Sequence, residues 1–259
     1  MVHSPHPHPA RHIVVMANDH FYSLDVVSSD GNGILPSELE KGLWAIAEDA
    51  MKRGPAETSV GVLSGDDRDS WTATREHLLS ISSVNRASVT QIEDSLFILS
   101  LDPYTLKSPQ FKTSYSDQSK PSTDLDAHIL NASTAGGSGK NRWWDKAVGI
   151  HVESNGRASM VGEHSPCDAL IPSIVADYAL AEDLDPRGQS QRGKGGEVKG
   201  PYEWVVDDQI KQAAEKAEKT VGEIAKDSEG RMLWFDEYGA GWIKNVGEFF
   251  GILSLHSPS

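Results

Sequence analysis

The stretch KAVGIHVESNGRASMVGE (residues 146–163) carries the clearest structural signal in the chain. Two runs with apolar residues, 146–153 and 157–163, flank Ser154-Asn155-Gly156. Asn-Gly favours the positive φ angles that a tight hairpin turn requires. The stretch therefore predicts two antiparallel strands joined by a short turn, and the second strand leads directly into His164.

Strands and helices are predicted to alternate on both sides of this hairpin. Apolar runs separated by polar turns predict strands, and apolar residues spaced three and four apart predict helices. The predicted strands are 12–17, 21–26, 59–63, 95–101 and 232–235, and the predicted helices are 36–53, 69–80, 85–94, 167–181 and 207–227. This alternation favours a mixed α/β or α+β fold over a helical bundle or a β-sandwich.

Composition divides the chain into segments. Residues 1–10 combine three Pro with three His and predict a disordered tail. Residues 103–140 are rich in Pro, Ser, Thr, Asp, Lys and Gly and predict a long, partly mobile surface loop. The Gly-rich and charged segment 183–202 predicts a linker at a domain boundary.

Charge and cysteine content exclude several classes of protein. The 38 Asp and Glu outnumber the 24 Lys and Arg and give a net charge of −14, which argues against a nucleic-acid partner. One Cys excludes an intrachain disulfide framework and a Cys-rich zinc module. Without an apolar run of about 20 residues, no integral membrane segment is expected. The cytoplasm is the expected compartment, and the sequence leaves mitochondria and peroxisomes open.

His164 is the most informative single residue. It follows a predicted strand and begins His164-Ser-Pro-Cys167-Asp168. A carboxylate four residues after a histidine can hold the imidazole in one orientation, as a general base requires. A hydrogen-bonded structural histidine is the alternative. Cys167 could pair with His164 as a nucleophile, or it could be a small buried thiol.

Two further motifs favour structural roles. Residues 134–141, TAGGSGKN, resemble a phosphate-binding loop, but two of the four fixed positions fail, so a flexible surface loop is predicted. Residues 141–146, NRWWDK, predict a structural corner with Trp in the core and with Arg142 and Asp145 satisfying nearby backbone groups.

Taken together, five blocks in order resemble the choline/carnitine acyltransferase family. The blocks are HIVVMANDHFYSLDV (12–26), GVLSGDDRDSWTATREHLL (61–79), VNRASVTQIEDSLFILSLD (84–102), NRWWDKAVGIHVESNGRASMVGEHSPCDA (141–169) and FDEYGAGWIK (235–244). The wording of GEHSPCDALIPSIVADY (162–178) is most similar to fungal carnitine acetyltransferases.

The resemblance implies a fold and a site. Family members have two similar α/β domains of the chloramphenicol-acetyltransferase type, each a mixed sheet flanked by helices, with the catalytic His in a tunnel between them. By position, His164 corresponds to that general base and Asp168 to the acidic residue that orients it. Lys244 matches one of two lysines that meet the CoA phosphates, and Ala240 stands where the other would be. CoA or acyl-CoA is then a co-substrate, carnitine is the other substrate, and no cofactor is bound permanently.

The resemblance also divides the chain into domains. Residues 11–182 correspond to part of the first domain, 203–246 to the start of the second, and 247–259 to neither. Family members are more than twice as long, so truncation at both ends is expected. The predicted function is reversible transfer of a short acyl group between CoA and carnitine. The alternative is an inactive remnant or a partner-binding fragment, and acyl chain length and oligomeric state are left open.

Overall fold

The sheet of this computed structural model has six strands in the order β5-β4-β3-β1-β2-β6. The structure describes residues 9–107, 123–166, 168–182 and 196–230. The strands are β1 His12–Ala17, β2 His20–Asp25, β3 Ile98–Leu101, β4 Val148–Val152, β5 Ala158–Gly162 and β6 Val198–Lys199. β1, β3 and β4 are parallel, while β2, β5 and β6 run antiparallel to the strands beside them. The predicted strand 232–235, the tail 247–259 and residues 1–8 lie outside the described residues.

The first hairpin is confirmed and has a two-residue turn. Ala17 pairs with His20, and both turn residues adopt positive φ, 49° at Asn18 and 65° at Asp19. Asn and Asp tolerate this conformation better than other side chains. The polar turn therefore fixes which residues of β1 and β2 face each side of the sheet.

Helices cover both faces of the sheet. Val14 and Met16 of β1 pack with α2 (Arg68–Ile81), α3 (Ser83–Asp94) and α6 (Asp208–Lys226). Ile13 and Val15 pack on the opposite face with α1 (Pro36–Arg53). A strand buried on both faces has no polar alternation, which is why β1 is almost continuously apolar. The mixed sheet flanked by helices confirms the predicted fold class.

The predicted strand over 59–63 is wrong. The chain there forms a 3₁₀-helix, Gly61–Gly65, in which Val62 and Leu63 are buried. A Cβ at Gly61 would lie 2.4 Å from the carbonyl oxygen of Arg142, so the backbones approach too closely for any other residue. A short apolar run indicates burial but does not separate a strand from a helical turn.

The predicted loop over 103–140 contains a helix, α4 (Asp124–Thr134). Thr123 and Asp126 form a capping box at its start, and Ala127 and Leu130 are buried. The polar residues that suggested a loop have structural roles, as caps here and as buried hydrogen-bond partners such as Asn131. Residues 108–122 lie outside the described part of the chain.

The predicted domain boundary over 183–202 also needs correction, because the residues after it complete the same sheet and core. β6 pairs with β2, Trp204 lies 5.5 Å from the ring of Phe21, and α6 enters the core shared with β1. Gly200, with φ of 128°, lies against the backbone of Tyr22, which explains the glycine-rich composition there. Residues 203–226 therefore belong to this domain rather than to the start of another.

The confirmed helices end close to their predicted limits. α1 begins at Pro36 and stops before Gly54, whose φ is 73° and whose N–H donates to Ala50 O. α5 (Leu170–Ala181) begins three residues later than predicted. None of the helices in the described ranges combines the length and apolar composition that a bilayer crossing requires.

Candidate functional site

The hairpin β4–β5 positions His164. Glu153 N donates to Arg157 O at 2.9 Å, and Gly156 carries the turn's positive φ of 83°. The turn is therefore a three-residue loop with a glycine bulge, and not the two-residue Asn-Gly turn that the sequence favoured. At the other end, Glu163 N donates to Ala147 O at 3.2 Å. That bond extends the pairing up to His164, which lies two residues beyond β5.

His164 is exposed at the edge of a groove of about 290 Å³ between β5 and α5. Small and apolar side chains form most of its walls. The groove is lined by Met160, Gly162, Glu163 and His164 from the hairpin and by Ala169, Pro172, Ser173 and Ala176 from α5. A Cβ at Gly162 would lie 3.3 Å from Pro172 Cγ, so α5 packs closely on the strand there. An imidazole at the edge of an apolar groove can exchange a proton with a small substrate held beside it.

Asp168 caps α5. Its Oδ1 accepts from Leu170 N at 2.9 Å, and its carbonyl oxygen accepts from Ile171 N at 3.0 Å. Over residues 123–166 and 168–182, no hydrogen bond or ion pair joins Asp168 to the His164 ring, so the expected orienting contact is absent from this conformation. Ser165 Oγ donates to Glu163 Oε1 at 2.7 Å. Local bonds thus hold the turn that carries His164.

Two residues singled out by the sequence cannot be placed. Lys244 and Cys167 both lie outside the described residues. The predicted CoA contact at Lys244 and the Cys–His alternative therefore remain predictions.

A buried charged network lies at the opposite end of the strands from His164. Asp102 directly follows β3, and its two carboxylate oxygens accept from Arg142 Nη1 at 2.7 Å and from Nη2 at 2.8 Å. Both side chains are fully buried. Asn131 of α4 donates to Asp102 Oδ2 at 3.0 Å. The sequence analysis missed this pair because the two residues are forty positions apart and nothing local links them.

The network continues through α4 to the end of β4. Glu153 Oε1 accepts from Asn131 Nδ2 at 3.0 Å and lies 3.0 Å from His128 Nδ1. His128 Nε2 faces the carbonyl oxygen of Ala158 at 3.2 Å. Because both ring nitrogens face acceptors, full pairing requires the doubly protonated imidazole. This network fastens α4 to the carboxyl ends of β3 and β4 and does not reach His164.

The corner at 141–146 is structural, as predicted. Trp143 is buried in the core, and its ring centroid lies 5.4 Å from that of Trp71, edge to face. Asp145 accepts from Trp71 Nε1 at 2.8 Å and from Arg68 Nη2 at 3.0 Å. Burial raises the pKa of Asp145, but these two hydrogen bonds outweigh it and hold the pKa below its ordinary value. Its partners are side chains, whereas backbone partners were expected.

Lys146 closes the end of α3. Its Nζ donates to the carbonyl oxygens of Ile92 at 3.0 Å and Glu93 at 2.7 Å. A cation at a helix C-terminus satisfies carbonyls that have no partner within the helix. Burial lowers the pKa of Lys146 to about 8, with opposing contributions from Asp94 and Glu93.

The loop that resembles a phosphate-binding loop uses its own N–H groups. Ser138 N donates to Ala135 O, Gly139 N to Thr134 O, and Lys140 N to Ser138 Oγ, all at 3.2 Å. A Cβ at Gly139 would lie 2.9 Å from Val221 of α6. The segment is thus packed against α6, whereas a flexible surface loop was predicted. It offers no free cradle of N–H groups for a phosphate.

Comparison with known proteins places the chain in a family. The family model for choline/carnitine O-acyltransferase matches residues 1–248. Carnitine O-palmitoyltransferase 2, mitochondrial, of Macaca fascicularis is 31% identical over 162 residues, which is 62% of this chain and 21% of that protein. Carnitine O-acetyltransferase of Rattus norvegicus is 27% identical over 244 residues, which is 92% of this chain and 36% of that protein.

A third relative gives a similar picture. Carnitine O-palmitoyltransferase 2, mitochondrial, of Bos taurus is 26% identical over 228 residues, covering 84% of this chain and 31% of that protein. The chain thus spans between about a fifth and about a third of the length of these relatives. With a family match over almost its whole length and a mixed sheet flanked by helices, the chain belongs to the choline/carnitine O-acyltransferase family.

Proposed function

We propose that this chain transfers an acyl group reversibly between CoA and carnitine, with His164 as the general base. The observation that supports this most directly is the position of His164, exposed at the end of a rigid hairpin and at the edge of an apolar groove. Membership of the acyltransferase family supplies the two substrates.

In the forward reaction, the neutral imidazole of His164 takes the proton of the carnitine hydroxyl as that oxygen attacks the thioester carbonyl carbon of acyl-CoA. The carbon–oxygen bond forms, and the carbonyl electrons move onto its oxygen. The tetrahedral intermediate then collapses, the carbon–sulfur bond breaks, and the imidazolium returns the proton to the CoA sulfur. The reverse reaction follows the same path, so one residue serves as both base and acid.

Asp168 is proposed as a positioning residue. Its bond to Leu170 N holds the first turn of α5 against the segment that carries His164. Asn caps a helix about as well as Asp, whereas Ala does not. Asp168→Asn should therefore cost less activity than Asp168→Ala, and the pH profile should change only if the carboxylate charge also acts on the His164 ring.

A short acyl group is the proposed substrate. The groove beside His164 holds about 290 Å³, and Pro172 lies close to the strand at Gly162. The named relatives include both an acetyltransferase and palmitoyltransferases, so competition between acetyl-CoA and palmitoyl-CoA tests the preference. Lys244 is proposed to meet the CoA phosphates. The cytoplasm is the proposed compartment, and imaging of a tagged chain against a mitochondrial marker tests it.

The second candidate is a non-catalytic fragment that binds a partner. The observation that favours it is the coverage, because this chain spans at most 36% of the named relatives. Groups that stabilise the transition state contribute a large share of most rate enhancements. A fragment without them would keep the fold and lose the turnover.

The test is carnitine-dependent release of CoA thiol from acetyl-CoA by the chain. His164→Ala should lower kcat/KM by about 10²–10⁴-fold, the usual contribution of a general base. The matched control is His12→Ala on β1, since His12 Nε2 only meets the carbonyl oxygen of Gln91. Turnover that survives His164→Ala would overturn the base assignment. A folded wild-type chain without turnover would overturn the catalytic proposal in favour of the fragment.

A further inference from the structure

Helix α5 has an unusual orientation, because its small side chains face its own sheet. Ala169, Pro172, Ser173 and Ala176 line the groove against β5. Ile171, Ile174, Val175 and Tyr178 follow the spacing of three and four that defines one face of a helix, and that face lies opposite the groove. We name these four residues the outer face of α5.

The outer face is exposed along its whole length. Ile174 is 57% exposed and Tyr178 is 69% exposed, and no residue of α5 is buried. Leu170 and Leu180, at the two ends of the helix, are also exposed. Contiguous exposed apolar surface of this kind marks an interaction site.

The area suits a stable protein–protein contact. From the exposed fractions of the six large side chains of α5 and typical residue areas, these side chains present roughly 700 Å² of surface. A standard-size interface buries about 800 Å² on each partner. The helix alone thus supplies most of one side of such an interface.

Charge and shape favour a second copy of this chain as the partner. Asp177 is the sole charged residue within α5, so the outer face needs no matching charge from a partner. A purely apolar stripe is self-complementary, which a two-fold contact requires. When two such helices cross antiparallel, their dipoles are also arranged favourably.

We propose that two copies of this chain associate through the outer face of α5, with the two helices packed antiparallel about a two-fold axis. Asp168, Asp177 and Glu182 of both copies then lie around the rim of the contact. Like charges at the rim repel, and dissolved salt screens that repulsion. Dimerisation therefore strengthens as the salt concentration rises.

The test is sedimentation velocity of the full chain over a wide range of concentration. Wild type should pass from monomer to closed dimer. Ile174→Arg should weaken dimerisation by roughly a hundredfold or more, because the contact would bury an unpaired charge. Trp44→Arg on α1 is the control, since Trp44 is similarly exposed, at 61%, but lies on another helix.

Circular dichroism of each variant establishes that it is folded, which is expected because neither side chain is buried. A wild-type chain that stays monomeric at every concentration would overturn the proposal. So would equal weakening by both variants, or growth into open-ended assemblies, since a two-fold contact closes at two. Stable monomers that bind only a separate polypeptide through α5 would assign the surface to a different partner.

Discussion

Removing the charge of Asp102 should cost more stability than any other single-atom change in the buried network. Asp102→Asn keeps the size of the side chain and leaves the guanidinium of Arg142 buried without a counter-ion. Both side chains are fully buried in the folded chain. Breaking a buried pair by removing one partner typically costs about 3–5 kcal/mol, against a total stability of about 5–15 kcal/mol.

The assay is urea unfolding followed by tryptophan fluorescence, with the free energy of unfolding extrapolated to water. The matched control is Glu38→Gln, which removes the exposed ion pair with Lys41 and should cost at most about 1 kcal/mol. A loss below about 1 kcal/mol for Asp102→Asn would refute the view that this pair holds α4 on the sheet.

The partner substitution sharpens the argument. Arg142→Met leaves the carboxylate buried, and a carboxyl group can shed its charge by binding a proton, whereas a guanidinium keeps its charge at any working pH. Arg142→Met should therefore cost less at pH 5 than at pH 8. The cost of Asp102→Asn should be the same at both.

Two further predictions concern other parts of the core. Burial, and secondarily the charge of Arg142, lowers the pKa of His151 from 6.5 to about 3. A base with a lowered pKa stabilises the fold above pH 6.5, and this contribution is lost as the pH falls towards 3. Between pH 7 and pH 4.5 the wild type should therefore lose up to about 2–3 kcal/mol that His151→Leu does not lose, measured by urea unfolding at both pH values. Gly61→Ala should lower stability by about 1–3 kcal/mol, because the new Cβ would meet the Arg142 carbonyl, whereas Gly33→Ala has open space and should cost less in the same thermal melts.

Local chemistry was sufficient to predict most elements of the fold. Pro36 and Gly54 bound α1, Asn18 and Asp19 turn the first hairpin, and alternating apolar residues predict α6. Each of these signals acts within one helical turn or one strand pair. The sequence states such signals directly, because backbone conformation and solvent exposure are decided by near neighbours.

The errors arose where distant parts of the chain meet. Residues 59–63 became a 3₁₀-helix because the Arg142 backbone lies against Gly61. The polar segment 124–134 became a helix because Asn131 finds Asp102 and Glu153 as buried partners. In both cases the deciding contact is remote in sequence, so no local pattern predicts it.

The candidate site shows the same division. Position in the sequence and family resemblance identify His164 and Asp168, since a strand end and a four-residue spacing are local features. Tertiary structure alone decides that His164 borders the groove of α5 and that Asp168 bonds to Leu170 N. The physical reason is that a side chain's partners depend on how helix and sheet pack, and that packing is set by the whole core rather than by the residues beside it.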